Sequence, residues 1–237
     1  MDSDIDAHVR RLWRHRGTTI PGPRRGPAQQ LDLDEIVAVG IDLADTSGLE
    51  AVSTRAVATR LGRTAMALYP YVGTKENLLA LMQDQASAMP TWPDPPSSLA
   101  DALLAWSTAL FDVYLAHPWL TERNWSQASQ GPNEQDWLER LAGILAAWQV
   151  PDHRRSTAVT MLYATVRATA STTAAYRRLS PAGADEWLAR ATAIQTHVPD
   201  LRDRYPLSTA LAPPTPDWRA NPHAALIAGV RLLASAL

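Results

Sequence analysis

The chain has 237 residues, of which 46% are hydrophobic, and its formal net charge is −2. This length and apolar content predict a folded protein of one or two domains and exclude a disordered chain. Cysteine is absent, which excludes a disulfide framework and thiolate catalysis. The acidic start of the chain is unlike a secretory signal, and no apolar run approaches the roughly 18 residues needed to span a bilayer. We therefore expect a cytoplasmic protein that does not enter a membrane.

Residues 1–30 combine an acidic tip with a basic segment. Six arginines lie between Arg10 and Arg25, and no acidic residue interrupts them. Prolines and glycines disfavour a helix beyond about Arg16, so the pattern predicts a flexible basic arm. Such an arm can lie in the DNA minor groove, with Arg24 and Arg25 nearest the next domain. The alternative is a tail that only aids solubility.

The next predicted element is a helix that opens a compact domain over residues 31–88. Asp32 and Glu35 have the spacing of a capping box, and Gly48 is placed to end the helix. Apolar residues between them recur at helical spacing and predict one buried face. A later helix, which Thr74 can cap, supplies leucines that we expect to pack against the same core.

The segment from Ser53 to Lys75 predicts two short helices separated by a glycine turn. Ser53 can cap the first, Gly62 can close it in a left-handed conformation, and Thr64 can cap the second. The segment has four basic residues and no acidic residue, within a chain of net negative charge. A basic pair of helices at this spacing is typical of a helix-turn-helix, whose second helix enters the DNA major groove.

Residues 31–82 contain a set of residues at a characteristic spacing, namely Gly48-Leu49, Val57-Ala58, Leu61-Gly62, Leu68-Tyr69, Tyr71-Val72, Lys75 and Leu78-Leu79. In these features the segment resembles the N-terminal domain of the TetR family of transcriptional regulators. The resemblance implies an all-α protein with an N-terminal helix-turn-helix domain and a helical-bundle domain for ligand binding and dimerisation. Pro70 departs from the family pattern and, because proline has no amide hydrogen, predicts that the recognition helix ends at Tyr69.

The resemblance implies DNA-phosphate contacts for Tyr69, Tyr71 and Lys75. A phenol or an ammonium group can bond a phosphate oxygen without reading sequence. Arg55 can reach phosphate or a base edge. The exposed start of the recognition helix is predicted to read bases through Arg63, Thr64, Ala65 and Ala67. For Arg60 we favour the plainer interpretation of a charge that is simply solvated on the surface.

A proline-rich linker around residues 89–98 predicts the boundary to a larger domain, residues 97–237. Helical periodicity continues over residues 99–117 and over a shorter segment near 120–128. Further helices are predicted from Pro132 to about Trp148, over 153–179, over 182–197 and over 221–236, with a proline-rich loop at 199–216.

Aromatic residues predict a ligand pocket in this second domain. Seven of the nine tryptophans follow the linker, and an aromatic lining suits a hydrophobic, ring-containing ligand. Arg167 lies in an uncharged stretch and needs a ligand oxygen or water as a partner if its face is buried, the alternative being a pair with a buried carboxylate. The resemblance also implies a pocket, and ordinary packing is the alternative for each residue taken singly. The predicted lining residues are Trp106, Tyr114, Asn124, Trp125, Tyr163 and Arg167.

The predicted partners are double-stranded operator DNA, a small-molecule effector and a second copy of the chain. A palindromic operator requires two heads, and the resemblance places the dimer interface on the small-residue helix over 153–179 and on the last helix. For the last helix the predicted contacts are Leu226, Ile227, Val230, Leu233 and Leu237.

The leading hypothesis is a repressor that a small hydrophobic or aromatic effector, such as an antibiotic or other secondary metabolite, releases from DNA. Two alternatives remain. One is a helical ligand-binding protein without operator-specific DNA binding, against which the intact set of DNA-contact residues argues. The other is an enzyme, but the sequence contains no metal-ligand, phosphate-loop or nucleophile motif. We therefore expect no catalytic residues, metal or cofactor.

Overall fold

The computed structural model of the protein describes residues 2–18, 31–92, 96–123, 125–211 and 220–237. Within these ranges the chain is helical and contains no strand, so the all-α fold class is confirmed. Short 3₁₀ turns occupy Leu49–Ala51, Pro118–Glu122 and Trp125–Gln127. The α-helices are α1 (Asp2–Leu12), α2 (Leu33–Ser47), α3 (Thr54–Arg60), α4 (Ala65–Val72), α5 (Lys75–Ala86), α6 (Leu99–Ala116), α7 (Pro132–Ala147), α8 (Asp152–Arg178), α9 (Pro181–His197), α10 (Leu201–Arg204), α11 (Pro206–Thr209) and α12 (Asn221–Ala236).

Helices α2 to α5 form the N-terminal bundle. The Asp32 side chain caps α2 by accepting a hydrogen bond from the amide of Asp34, and Gly48 ends the helix at a φ of 84°. Ile36 and Val37 are fully buried on its inner face, which packs against α5. The predicted cap at Thr74 is also present, since its hydroxyl accepts from the amide of Asn77.

The helix-turn-helix consists of α3 and α4. The hydroxyl of Ser53 caps α3 by accepting a hydrogen bond from the amide of Ala56 at 3.1 Å. The end of α3 is a Schellman motif, in which the Arg63 amide donates to the Ala58 carbonyl at 2.9 Å. Gly62 sits at the centre of the motif with a φ of 65°, a conformation that costs glycine little. The predicted glycine turn is therefore present.

Pro70 does not end the recognition helix, contrary to the sequence prediction. The helix α4 continues through Pro70 to Val72, and its C-cap is Gly73. Proline removes one amide donor from the helix, but the next turn still closes because the Gly73 amide donates to the Tyr69 carbonyl at 2.8 Å. A single lost bond thus weakens the helix without stopping it.

The part of the predicted arm that the structure describes, residues 2–18, contains a helix that ends before Arg16 and packs on the N-terminal bundle. Residues Asp2–Leu12 form α1, and Leu12 is 3% exposed in the hydrophobic core. The helix packs against α5. The prediction of an arm rested on the run of arginines. In the structure the helix is held to the bundle in part by the buried side chain of Leu12. Residues 19–30, with Arg24 and Arg25, lie outside the described residues.

The C-terminal bundle is built around α6, which packs against α7, α8 and α12. By length and composition alone α6 could cross a membrane, with a mean hydropathy of 1.4 over 18 residues. The expectation that no apolar run reaches this length was therefore wrong, because the acidic residues Asp101 and Asp112 made the run look interrupted. A core helix meets the same criterion, and Trp106 on α6 is fully buried by the neighbouring helices.

Two further details of the C-terminal bundle differ from the sequence prediction. The proline-rich loop at 199–216 contains the short helices α10 and α11, since each carries a turn of helical hydrogen bonds. The predicted interface stripe of α12 instead faces the chain's own core. Leu226 and Val230 are at most 1% exposed because α12 packs on α6 and α8.

Candidate DNA-binding surface and ligand cavity

The recognition helix α4 presents one face to the core and one to solvent. Leu68 and Val72 are fully buried. Tyr69, which follows Leu68, is 44% exposed and is therefore not a core tyrosine. Tyr71 is half-buried and packs beside the core. The phenols predicted to meet phosphate therefore lie in the C-terminal half of the helix, and Tyr69 is the more exposed of the two.

The start of α4 is only partly as predicted. Arg63 and Thr64 are exposed, and Thr64 occupies the N-cap position without a capping hydrogen bond from its side chain. Ala65 is half-buried, and Ala67 packs against the core because it lies toward the inner face of the helix. Met66 has the opposite orientation and is 74% exposed. Sequence reasoning missed this residue because methionine usually signals core.

Basic side chains flank the recognition helix on both sides. Arg55 is exposed near the start of α3. Lys75 is exposed at the first position of α5, where the helix macrodipole disfavours a cation. A lysine at such a place does not stabilise the helix, which supports a role in contacting another molecule. Arg60 is paired with Asp42, which accounts for it as a surface charge.

An internal cavity of about 30 Å³ lies in the C-terminal bundle, where α5 reaches it. Of the predicted pocket residues, Tyr114, Tyr163 and Arg167 lie on its wall. The remaining lining residues were not predicted, and they are Gln83, Ser87, Leu110, Leu120, Ala128, Glu134 and Trp137. A space of this size holds one or a few water molecules.

Trp106 is not on the cavity wall, although the sequence placed it there. Its indole nitrogen donates to the Trp137 carbonyl at 3.1 Å. Its ring meets those of Trp137 and Tyr163 edge to face, with centroid separations of 5.8 and 4.9 Å. Trp106 therefore supports the two aromatic residues that line the cavity. Trp92 extends this aromatic cluster through an edge contact with Trp137 at 6.2 Å.

The side chains of two predicted lining residues cannot be located relative to the cavity. Asn124 lies outside the described residues, and only the backbone of Trp125 is described, in a 3₁₀ turn.

Both cavity phenols are held in their protonated form. Burial raises the pKa of Tyr114, and the nearby Arg167 opposes that effect. Burial also raises the pKa of Tyr163. A protonated phenol can donate a hydrogen bond, so the wall offers donors from tyrosine as well as from the guanidinium group of Arg167.

A chain of polar contacts joins the cavity to the N-terminal bundle. Arg167 donates to the backbone carbonyl of Arg123. The Arg123 side chain is itself buried, and its Nε donates to Oε1 of Gln83 at 2.5 Å. A second nitrogen of Arg123 pairs with Glu76 at 2.8 Å. Glu76 directly follows Lys75 at the start of α5, so these polar contacts run from the cavity wall to the exposed surface beside the recognition helix.

A buried carboxylate forms a second connection between the bundles. Asp84, on α5, is 4% exposed and accepts the amides of Asn133 and Glu134 at 3.0 and 3.2 Å. These amides begin α7, so Asp84 caps a helix of the other bundle. A Cβ on Gly131 would lie 2.2 Å from Oδ1 of Asp84, which requires glycine there. Burial raises the pKa of Asp84 to about 6, while the hydrogen bonds from Asn133 and Glu134 oppose the rise.

An exposed recognition helix behind a glycine turn, joined to a bundle with its own cavity, defines a helix-turn-helix regulator with a sensor domain. No family model matches the chain. The chain is 32% identical over 226 residues to the HTH-type transcriptional repressor DrrR1 of Streptomyces coeruleorubidus, covering 91% of this chain and 80% of that protein.

Solved structures agree with this relationship. The TetR family protein ActR of Streptomyces coelicolor, in complex with actinorhodin, matches with a TM-score of 0.71 and 26% identity, over 88% of this chain and 98% of that one. A second TetR regulator of Streptomyces coelicolor matches with a TM-score of 0.66 and 27% identity, over 87% and 97%. The chain belongs to the TetR family and is a ligand-responsive, DNA-binding transcriptional repressor. The relatives are regulators of transcription, and they lend no support to the enzyme alternative.

Proposed function

We propose that the protein is a cytoplasmic homodimer that represses transcription from a palindromic operator and leaves it when an effector fills the cavity. Residues 31–88 serve as the DNA-binding domain and residues 97–237 as the sensor and dimerisation domain. The observation that carries the proposal is the polar chain from Arg167 through Arg123 to Glu76, because it connects the cavity with the exposed helix-turn-helix.

DNA binding divides between two groups of side chains. Tyr69, Tyr71 and Lys75 hold phosphate, and Arg55 assists them. Arg63 and Thr64 read base edges from the start of α4, beside the small Ala65 and Ala67. Arg24 and Arg25 reach the minor groove in this proposal, although they lie outside the described residues.

Mobility-shift assays test this division, using the duplex that the wild-type protein selects from DNA upstream of its own and adjacent genes. Lys75→Ala should weaken binding to every duplex about equally and reduce the salt dependence by about one phosphate contact. Arg63→Ala should instead reduce the preference for the selected duplex, by about 1–3 kcal/mol. Equal losses by both variants on selected and unrelated DNA would contradict the division.

The effector is a ring-containing small molecule with an acceptor oxygen. Trp137, Tyr114 and Tyr163 offer aromatic walls, and Arg167 offers charged donors. A cavity of about 30 Å³ is far below the roughly 300 Å³ of an ordinary ligand site, so the cavity must widen to admit an effector of this size. The structure of ActR in complex with actinorhodin supports a small-molecule effector.

Release follows from the position of Arg167. An effector oxygen that accepts hydrogen bonds from the Arg167 guanidinium competes with the backbone carbonyl of Arg123. Movement of Arg123 then disturbs the contacts of its side chain with Gln83 and Glu76. Both of those residues belong to α5, which leads back to Lys75. Calorimetric titration of ring-containing compounds, beginning with actinorhodin, identifies a ligand, and the mobility-shift assay then measures release. A compound that releases wild-type and Arg167→Met proteins equally would refute this role of Arg167.

The dimer interface lies on the outer faces of α8 and α12. Exposed residues of α8, most of them small, follow one helical face and would permit close approach of a second copy. On α12 the exposed face carries Leu232, which is 74% exposed. The residues of the α8 face are Thr157, Met161, Ala164, Ala168, Ser171 and Ala175.

Ala168→Glu tests the interface. The side chain is exposed in the single chain, so the substitution should leave the helical fold intact and prevent dimerisation by placing charges against each other. Sedimentation velocity measures the oligomeric state, with Ala189→Glu on α9 as the matched control. A variant that remains as dimeric as the control would show that the interface lies elsewhere.

A further inference from the structure

The recognition helix receives a hydrogen bond from the N-terminal helix. A guanidinium nitrogen of Arg11, on α1, donates to the carbonyl of Pro70 at 3.1 Å. This carbonyl belongs to the last turn of α4, where carbonyl groups have no partner further along the helix. A cation at a helix C-terminus also interacts favourably with the macrodipole. Arg11 therefore acts as a C-terminal cap that a distant part of the chain supplies.

The helix α4 is one that needs such support. It has only 8 residues, and Pro70 removes an amide donor from its interior. A Cβ at its C-cap, Gly73, would be 3.6 Å from the Arg11 guanidinium, which shows how closely the side chain lies against the helix end. The contact spans 59 positions of sequence, so it fixes α4 relative to α1.

The segment that follows α1 is fixed to both bundles. Arg14 binds Asp34 on α2 and Gln85 on α5, the latter at 3.1 Å. The Trp13 indole donates to the Gln130 carbonyl at 3.2 Å, and Arg16 pairs with Asp136 on α7.

Gln130 lies next to the sensor cavity. The backbone amide of Gln130 donates to the carboxylate of Glu134 at 2.8 Å, and Glu134 lines the cavity. The segment of residues 2–17 thus contacts the recognition helix through Arg11 and the approach to α7 through Trp13.

We propose that residues 2–17 act as a strap that positions the recognition helix, with Arg11 as the positioning residue and Trp13 and Arg16 as its anchors on the sensor domain. The strap links the loop before α7 with the end of α4 by a route that does not pass through Arg123. The inference rests on the proposed role of α4 in reading DNA. It assigns no DNA contact to Arg11 itself.

Hydrogen exchange of the DNA-free full-length protein tests the strap directly. Arg11→Met keeps the aliphatic stem and removes the donors, and it should accelerate exchange in residues 65–73 about two- to fivefold. Arg11→Lys should restore part of the protection. Arg10→Met is the matched control, because Arg10 is exposed on the same helix and the charge change is identical. Trp13→Phe, which removes the indole donor, should also accelerate exchange in residues 65–73.

DNA affinity provides the second readout, on a duplex that the wild-type protein selects from a random-sequence pool. Arg11→Met should bind that duplex about two- to fivefold more weakly than Arg10→Met, with the same salt dependence. A lower salt slope with unchanged exchange would identify Arg11 as a phosphate contact and overturn the proposal. Equal acceleration in α2 and α4 would also overturn it, because it would reveal only general destabilisation. If the wild-type protein selected no DNA, the proposed function would fail, while the exchange data would still decide whether the strap exists.

Discussion

Asp84→Asn should stabilise the protein at neutral pH and change its pH dependence. Asp84 is 4% exposed, and its pKa is raised from an ordinary value of 3.8 to about 6. Because the folded protein holds this proton more tightly than the unfolded chain, protonation favours folding. The contribution of the Asp84 proton to the free energy of unfolding is fully present below pH 3.8 and is lost as the pH rises through about 6. This rise in the pKa of Asp84 corresponds to about 3 kcal/mol in the free energy of unfolding.

Asparagine keeps the oxygen that caps α7 without the charge, and Asn133, whose side-chain NH2 group now donates to Oδ2 of Asp84, must turn its own oxygen toward the new NH2 group. The carbonyl oxygen of the new side chain can accept the amides of Asn133 and Glu134, which now bond to Oδ1 of Asp84. The variant should therefore gain about 1–3 kcal/mol relative to the wild-type protein at pH 7.5, since it avoids burying a carboxylate.

Urea denaturation at a series of pH values from 4 to 7.5 measures the difference between the two proteins. The advantage of the variant should grow between about pH 4 and pH 6, where the unfolded chain releases the Asp84 proton and the folded protein keeps it, and should stay constant above that. Asp101→Asn, at an exposed carboxylate in the first turn of α6, is the control. A stability difference that stays constant with pH would refute the reasoning, because it would show that Asp84 does not titrate differently in the folded and unfolded states.

Two further substitutions test the packing around the same junction. Gly131→Ala should destabilise the protein by about 1–3 kcal/mol, since the new Cβ would meet Asp84 at 2.2 Å, and an unchanged urea midpoint would contradict this close approach. Trp106→Ala should cost about 3–5 kcal/mol, because the side chain is fully buried and its indole donates to the Trp137 carbonyl. Thermal unfolding measures that loss, and a cost below about 1 kcal/mol would show that the cluster repacks without it.

The parts of the fold that depend on local chemistry could be predicted from the sequence. Ser53, Gly62 and Thr74 determine caps and a turn within a few residues of themselves, and the structure confirms them. The bounds of α6, α7, α8, α9 and α12 also follow their predicted ranges within a few residues. Hydrophobic periodicity, together with the glycines and prolines that end helices, is sufficient to predict these helix bounds.

Features that depend on contacts between distant segments could not be predicted in this way. A run of arginines gave no sign that Leu12 would be buried and α1 fixed to the core. Gln83 and Glu134 line the cavity from two different bundles, 51 positions apart, and each has an ordinary helical context in the sequence. The prediction for Pro70 was wrong because the remaining hydrogen bonds, one of them from Gly73, were enough to continue the helix.

The aromatic cluster behind the cavity has an optical consequence. Trp92, Trp137, Trp106 and Tyr163 form a continuous series of edge contacts, with centroid separations of 4.9 to 6.2 Å. Chromophores held rigidly at such distances in an asymmetric environment give a strong near-ultraviolet circular dichroism signal. Because Trp137 and Tyr163 also line the cavity, we expect an effector that opens it to change their relative orientation and hence this signal. The protein therefore contains its own unlabelled spectroscopic probe of sensor occupancy, separate from any measurement on DNA.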